Sequence, residues 1–155
     1  MSFNAVAILP RTGIGPIRFG QTRSQIRSLL GDPTTTDTVG VPGSETWEYE
    51  QLNLDVSFDD DANWRVTGLS AQHPRFTLRG VSLLGLPFHT VVQLVPQLKL
   101  GAYERDDQSP FGPTLTFPSF EVTICFRDGI ADFISWYVLI NDRDEYVWPD
   151  LSVAA

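Results

Sequence analysis

Two carboxylates, Glu48 and Asp55, have the residue types and spacing best suited to acid–base chemistry in this sequence of 155 residues. They belong to "ETWEYE" (45–50) and "LDVSFDDD" (54–61), whose alternating apolar and polar residues predict two strands joined by a short turn. Glu48 and Asp55 then face each other, and such a pair can supply an acid and a base when a pocket shifts one pKa. The alternative is an acidic, solvated sheet face, because a sequence does not reveal a pocket.

A metal site is not indicated. His73 and His89 are far apart, and neither has a ligand-type residue three or four positions away. The run Asp59-Asp60-Asp61-Ala62-Asn63 has oxygen donors at alternate positions, as calcium loops do. However, Trp64 stands where such a loop needs glycine and Ser70 where it needs glutamate. We therefore interpret the run as a solvated hairpin turn and expect no metal and no cofactor.

Nucleophilic catalysis is not indicated either. Cys125 lies in the apolar, strand-like stretch "EVTICFRDG", which favours a buried and inert thiol, and no Gly-x-Ser-x-Gly motif occurs. The glycines of "RTGIGPIRFG" (11–20) match neither the P-loop nor the dinucleotide fingerprint. We interpret that stretch as an extended lead-in to a helix and expect no catalytic residue.

The composition predicts one ordered domain with an acidic surface. Hydrophobic residues make up 42% and charged residues 19%, and the formal net charge is −8. Such a charge repels nucleic acids and anionic membranes, so neither is an expected partner. It suits a basic partner, and it also serves simply to keep a protein in solution.

The cysteine count bears on the compartment. Cys125 is the only cysteine, so no disulfide can form within the chain and a reducing compartment is expected. The stretch "AVAILP" is too short to cross a membrane and lacks the pattern of a signal peptide. We therefore expect a cytoplasmic protein. The alternatives are a secreted protein without disulfides and one whose signal has been removed.

The elements that would position the carboxylates begin with the helix in "FGQTRSQIRSLLGDP" (19–33). Thr22 is placed to act as N-cap and Gln25 to reach back to it, which completes a capping box. Apolar residues over 26–30 share one face, and Gly31 with Pro33 ends the helix.

A second, weaker copy of this helix follows in "LGLPFHTVVQLVPQL" (84–98), offset by 65 residues. At an offset of 68, "VTICFRDG" (122–129) matches "LDVSFDDD", with a hairpin signal at Asp128-Gly129, and "FISWYVL" from Phe133 matches "RVTGLSA" from Arg65. The counterpart of "ETWEYE" is "TLTFPSF" (114–120). Long loops, "DPTTTDTVGVPGS" and "GAYERDDQSPFGP", occupy equivalent positions, so we infer a duplication.

The duplication predicts an α+β fold in which two tandem helix–three-strand repeats form one continuous antiparallel sheet with helices packed on one face. Residues 1–155 then make a single domain, with repeat one over 13–73, repeat two over 74–140 and a C-terminal tail over 141–155. The aromatic residues Tyr146 and Trp148 indicate that the tail folds back onto the body, and the alternative is a docking tail.

The segments "IRFGQTRSQIRSLLGDP", "WEYE" and "VSFDDDANWRVTGL" resemble the tandem-repeat fold of β-lactamase-inhibitor proteins and the related half-size outer-membrane assembly lipoproteins. The resemblance spans about residues 13–139 and implies a sheet with helices behind and an open face that binds another protein. This chain lacks the disulfide of each inhibitor repeat and the anchored cysteine of the lipoproteins. The resemblance therefore implies a mode of use, and neither β-lactamase inhibition nor membrane assembly is carried over.

These observations favour a cytoplasmic protein-binding module of the immunity or inhibitor type, whose open sheet face binds another, basic protein. The expected partner-binding residues are Glu48 and Asp55 for charge, and Trp136 and Tyr137 as aromatic anchors. An alternative is a small-ligand-binding domain with a cavity between helices and sheet. An enzyme has the least support, because no two residues are placed by the sequence to act together.

Overall fold

The structure is a computed structural model that describes residues 5–38 and 42–151. The predicted tail beyond 151, and the part of the first long loop at 39–41, lie outside the described residues. The helices are α1 Arg23–Leu30 and α2 Phe88–Leu98. The strands are β1 Val6–Leu9, β2 Gly13–Ile14, β3 Ile17–Arg18, β4 Thr35–Asp37, β5 Ser44–Tyr49, β6 Leu54–Asp59, β7 Arg65–Ala71, β8 Phe76–Leu78, β9 Val81–Ser82, β10 Glu104–Asp106, β11 Thr114–Phe117, β12 Val122–Arg127, β13 Ile130–Tyr137, β14 Leu139–Ile140 and β15 Tyr146–Val147.

An eight-stranded antiparallel sheet runs through the molecule in the order β10-β11-β12-β13-β7-β6-β5-β4. Side chains alternate between its two faces, as they do in any strand. On β6, for example, Leu54, Val56 and Phe58 are buried, while the residues between them are partly exposed. We call the buried side the inner face and the other side the outer face.

A second sheet, in the order β3-β2-β1-β8-β9, contributes to the layer on the inner face. The indole Nε1 of Trp136, on β13, donates a hydrogen bond of 3.2 Å to the backbone carbonyl of Gly13, on β2. Both helices join the same hydrophobic core, α1 through Ile26 and α2 through Val91 and Leu98.

The predicted α+β fold with helices packed on one face is therefore wrong. The protein is mostly β, with 43% of residues in strands and 18% helical, and its described part has only two α-helices. The short strands of the second sheet were missed, since two to four residues are too few to show alternation. The parallel pairing of β1 with β8 also joins distant segments, such as Val6 and Phe76.

The same order of elements occurs twice. A short hairpin, a helix and four strands of the large sheet make up each half: β2–β3, α1 and β4–β7, then β8–β9, α2 and β10–β13. The backbone contacts repeat as well, because Gly20 donates to the carbonyl of Val66 and Gly85 to that of Ala131, both at 2.9 Å. β7 and β13 then pair with each other and join the halves.

The spacing of the two halves differs from the prediction in the last strand. An isolated bridge joins Thr22 to Arg65, and its counterpart joins Pro87 to Ile130, so β7 corresponds to β13 at an offset of 65 rather than 68. The turn before β7 covers residues 60–64, whereas the two-residue turn before β13 is Asp128-Gly129. That hairpin prediction is confirmed, with φ of 53° and 79° at the two residues.

The two long loops are not fully irregular. Each contains a short edge strand, β4 in the first and β10 in the second, so each half has four strands in the large sheet instead of the three predicted. All six residues of these strands are exposed. Their polar sequences carry no apolar alternation, which is why the sequence pattern did not reveal them.

The local predictions at the first helix are confirmed. Thr22 caps α1, and Gln25 completes the capping box by accepting the backbone N–H of Thr22 at 2.9 Å. The C-terminal segment also folds back as predicted, because the Trp148 ring lies against Gly20. No helix in the described part of the chain is long and apolar enough to cross a membrane.

Gly20 and Gly85 provide a matched test of the repeated backbone. Their φ angles are 96° and 91°, which a residue with a Cβ adopts only under strain. A Cβ on Gly20 would also meet Trp148 at 3.0 Å, whereas one on Gly85 has its nearest neighbour at 4.0 Å. We expect each alanine substitution to lower the free energy of unfolding by about 1 kcal/mol or more.

The larger loss of unfolding free energy is expected for Gly20→Ala. In protein labelled with fluorotryptophan, this substitution should also shift the ¹⁹F resonance of Trp148. The resonance is assigned by its absence in Trp148→Phe. Urea unfolding measures the stability. A Trp148 signal that moves equally in Gly85→Ala would contradict the contact described here.

Candidate functional site

One continuous row of polar residues crosses the outer face of the large sheet. Its members stand opposite one another in every ladder, from one edge strand to the other. We call this set the polar row: Thr35, Glu48, Asp55, Ser70, Ser135, Thr123, Thr116 and Glu104. Hydrogen bonds run along it, including one of 3.3 Å from the Ser135 hydroxyl to that of Ser70.

Glu48 and Asp55 are direct neighbours in this row, as the sequence predicted. Thr116 and Thr123 occupy the equivalent positions in the second half, where they are also direct neighbours. Their hydroxyls lie 3.2 Å apart, within hydrogen-bond distance. Since like charges directly opposite each other destabilise a sheet, the carboxylate pair is the less stable choice for the same backbone.

The electrostatics of Asp55 reflect this arrangement. Partial burial is the main cause that raises its pKa, to about 6, and the negative charge of Glu48 raises it further. The side-chain amide of Gln72 opposes the shift by donating to Asp55 Oδ2 at 3.2 Å. Glu48 accepts a hydrogen bond from the hydroxyl of Thr35. The pair therefore has defined partners on an otherwise open face.

The two expected aromatic anchors lie on opposite faces. Tyr137 is 47% exposed on the outer face, where its ring lies against Gly68, so that a Cβ there would come within 2.8 Å of it. Trp136 is 0% exposed and belongs to the core. Because successive residues of a strand point to opposite faces, only Tyr137 faces outward, and the buried Trp136 has no exposed surface for a partner.

Basic residues are concentrated away from the outer face. In the described part of the chain, seven arginines lie with the guanidinium carbon 4.2–5.2 Å from an aromatic ring centroid: Arg11, Arg23, Arg27, Arg75, Arg79, Arg105 and Arg127. The first five belong to α1, to the ends of β1 and β8 or to the turns that follow these strands. Arg105 lies over Phe88 of α2 on the helix side, so Arg127 is the exception among these seven. Arg65, opposite Asp59, is a further basic residue on the outer face.

A cavity of about 230 Å³ opens at the end of the outer face beside Tyr137. Its lining includes two carboxylates, Asp59 and Glu121, and a second tyrosine, Tyr146. No sequence pattern predicts that Asp59, Glu121, Tyr137 and Tyr146 come together. They come from four separate segments, and the one available signal, the acidic run after β6, was interpreted only as a turn.

The described residues contain no group of three or more histidine, cysteine or acidic side chains arranged to hold a metal ion. His89 is exposed on α2, and the Nδ1 atom of His73 accepts the backbone N–H of Arg75 at 3.0 Å. Cys125 is partly buried on the outer face, and burial raises the pKa of its thiol to about 11.

Few known proteins resemble this chain. No family model matches the chain, and no curated protein matches it significantly. A solved structure described as an extracellular protein containing an SCP domain, from Bacillus anthracis str. Ames, superposes with a TM-score of 0.45 and 10% sequence identity. The superposition covers 84% of this chain and 49% of that one, so this chain spans about half of its length.

Substitution of Asp55 tests the cost of the carboxylate pair. The folded-state pKa of Asp55, about 6, exceeds its ordinary value of 3.8, so the folded protein binds more protons than the unfolded chain between these values. The stabilising effect of this proton is present below about pH 4 and lost as the pH rises to about 6.

We expect Asp55→Asn to raise the free energy of unfolding at neutral pH by about 1 kcal/mol, after allowance for solvent screening. Urea unfolding as a function of pH measures the effect, with Asp106→Asn on the same face as control. An unchanged pH dependence in Asp55→Asn would contradict the assignment.

The thiol of Cys125 should react slowly. A rise of its pKa from 9.0 to about 11 lowers the thiolate fraction at neutral pH by about a hundredfold. We therefore expect iodoacetamide to alkylate the folded protein about a hundredfold more slowly than the urea-unfolded chain, as followed by mass spectrometry. Equal rates in the two states would show that Cys125 is accessible and unperturbed.

Proposed function

We propose that this protein is a binding module whose outer sheet face docks a basic surface of another protein. The single observation that carries the proposal is the contrast between the two halves of the polar row. Glu48 and Asp55 form a carboxylate pair where the same backbone in the second half uses the neutral pair Thr116 and Thr123. The scaffold has no need of these charges, so a role outside folding accounts for them.

Charge complementarity selects a basic partner. Besides Glu48 and Asp55, the outer face carries Glu104 in the polar row and Asp106 on the same face of β10. Most arginines of the described chain are engaged with aromatic rings on the helix side or around the second sheet. A positively charged protein surface is therefore attracted to the outer face and oriented by it.

The exposed Tyr137 adds an anchor at the end of this face. Its ring packs against Gly68, which limits the conformational entropy that it can lose when a partner covers it. Rigid tyrosine rings of this kind often contribute much of the binding energy of an interface. Charge at Glu48 and Asp55 and contact area at Tyr137 are the two contributions we assign to the face.

The alternatives have weaker support. For a small-ligand domain, the most apolar cavity described, lined by Val6, Ile17 and Phe76 among others, measures about 170 Å³, below the roughly 300 Å³ at which ligand pockets begin. Two cavities of about 370 and 300 Å³ reach that size, but mainly polar residues line them, whereas ligand pockets are mostly apolar. For an enzyme, Asp55 has a shifted pKa and a carboxylate neighbour, but the pair lies on an open sheet face rather than in a cavity lined for a substrate.

The test removes the two charges by giving the first half the residue type that the second half has at the equivalent positions, which is threonine. We expect the double variant Glu48→Thr/Asp55→Thr to fold at least as stably as the unaltered protein, because Thr116 and Thr123 already occupy this backbone. Tagged protein is used to capture partners from a lysate of the source organism. Each captured protein is then purified and its contacts are mapped by cross-linking with mass spectrometry.

A basic protein that binds the unaltered chain, cross-links to the outer face and loses about tenfold or more in affinity with the double variant would support the proposal. Glu50→Gln/Asp128→Asn, which removes the same charge from two exposed turns that line neither the polar row nor the cavity beside Tyr137, is the matched control. Equal losses in the two variants would indicate nonspecific attraction and overturn the proposal. Cross-links confined to the helix side would overturn it as well.

A further inference from the structure

The cavity beside Tyr137 has the composition of a site for an organic cation. We call it the tyrosine cavity, and its lining residues are Asp59, Thr67, Glu121, Tyr137, Val138, Ile140 and Tyr146. Two carboxylates and two aromatic rings thus surround a space of about 230 Å³. A ring face attracts a cation and a carboxylate pairs with it, so both kinds of lining group favour the same ligand charge.

One of the two carboxylates, that of Asp59, is held in place. Asp59 Oδ2 accepts the hydroxyl of Thr67 at 2.6 Å, and Thr67 is 4% exposed, so this side of the cavity is fixed by the core. Glu121 sits at a left-handed turn residue, with φ of 53°, immediately before β12. No lysine or arginine is among the residues that line the cavity.

The rings are held in place as well. The hydroxyl of Tyr146 donates to Asp61 Oδ1 at 2.6 Å, and its ring lies 4.9 Å from that of Trp148. Burial and the neighbouring carboxylates raise the pKa of Tyr146 far above its ordinary value, so the hydroxyl stays protonated and keeps donating. The ring of Tyr137 lies on Gly68. Preorganised rings reduce the entropy lost on binding.

The second half of the molecule contains an internal example of an arginine held between an aromatic ring and a carboxylate. The position equivalent to Asp59 at the end of β12 is Arg127, since the two strands correspond at an offset of 68. Its guanidinium carbon lies 4.7 Å from the ring centroid of Phe111, and its Nε atom lies 3.7 Å from a carboxylate oxygen of Asp132. The cavity that remains there, lined by these three residues among others, is only about 80 Å³.

We propose that the tyrosine cavity binds an arginine side chain of the protein partner, in the manner in which Phe111 and Asp132 hold Arg127. The proposal rests on the proposed function and names the group that the end of the outer face recognises. A planar guanidinium stacks on a tyrosine ring while its edge hydrogen-bonds to a carboxylate, which a lysine ammonium does less well.

Arg65 is a basic residue near the tyrosine cavity whose charge opposes the binding of a cation. It stands opposite Asp59 in the ladder between β6 and β7 and is exposed, although it does not line the cavity. Its positive charge lowers the affinity of a nearby site for a cation. Arg65→Gln should therefore tighten the binding of an arginine side chain, which is the opposite of what the loss of a contact residue would do.

The test uses three capped tripeptides, acetyl-Gly-Arg-Gly-amide and its lysine and citrulline counterparts, titrated in the millimolar range. Binding is followed by ¹H–¹⁵N NMR at low salt. We expect saturable shifts at residues around the tyrosine cavity with the arginine peptide, weaker shifts with lysine, and none with the neutral, isosteric citrulline. Equal responses to arginine and citrulline, or no saturable response to arginine, would overturn the proposal.

Variants locate the site. Tyr137→Gln replaces the ring by glutamine, the residue type found at the equivalent position of the first half, Gln72. Asp59→Asn removes the negative charge and keeps a hydrogen-bond acceptor for the Thr67 hydroxyl. Each substitution should lower the affinity for the arginine peptide by about tenfold. Glu50→Gln, which changes an exposed carboxylate outside the cavity, should leave the affinity for the arginine peptide unchanged. Arginine binding that survives both cavity variants would overturn the assignment.

The two proposals fail differently. If the arginine peptide does not bind although Glu48→Thr/Asp55→Thr still loses a captured basic protein, the arginine site is wrong and the proposed function stands. If the peptide binds in the cavity but the captured protein binds Glu48→Thr/Asp55→Thr as tightly as the unaltered chain, the proposed function fails and the cavity remains a guanidinium site.

Discussion

Burial of one face of the eight-stranded sheet is the constraint on which the rest of this structure depends. Strand residues alternate between two faces, so the choice of the apolar set for the core places every residue between them on the outside. Leu54, Val56 and Phe58 point inward on β6, and Asp55 and Ser57 consequently point outward. The second sheet and the two helices cover only the inner face, and the polar row is left as a continuous surface.

The internal duplication separates what the scaffold requires from what it carries. Gly20 and Gly85 have the same backbone conformation and the same hydrogen bond to the last strand of their half, which marks them as scaffold. Where the halves share a backbone but differ in charge, the difference has no structural cause in the ladder itself. The carboxylate pair at Glu48 and Asp55 is such a difference, and Asp59, whose equivalent in the second half is Arg127, is another.

Charge in this protein is arranged through its arginines. Most of them lie over aromatic rings beside the helices or the second sheet. Five of these six also donate hydrogen bonds to protein oxygens. Acidic side chains remain on the outer face and around the tyrosine cavity. The net charge of −8 is therefore distributed unevenly over the surface.

The sequence by itself determined those features whose physical cause is local. The capping box at Thr22 and Gln25 satisfies backbone groups within one turn, and Asp128-Gly129 adopts the conformation of a two-residue hairpin without help from the rest of the chain. The pairing of Glu48 with Asp55 followed from alternation across a short connection. Only the tertiary structure decided that Trp136 points into the core and Tyr137 outward, because alternation separates two neighbours without saying which face is covered. The sequence pattern did not predict the second sheet or the tyrosine cavity either. Each brings together segments that are distant in the chain, and local conformational preferences do not depend on such long-range contacts.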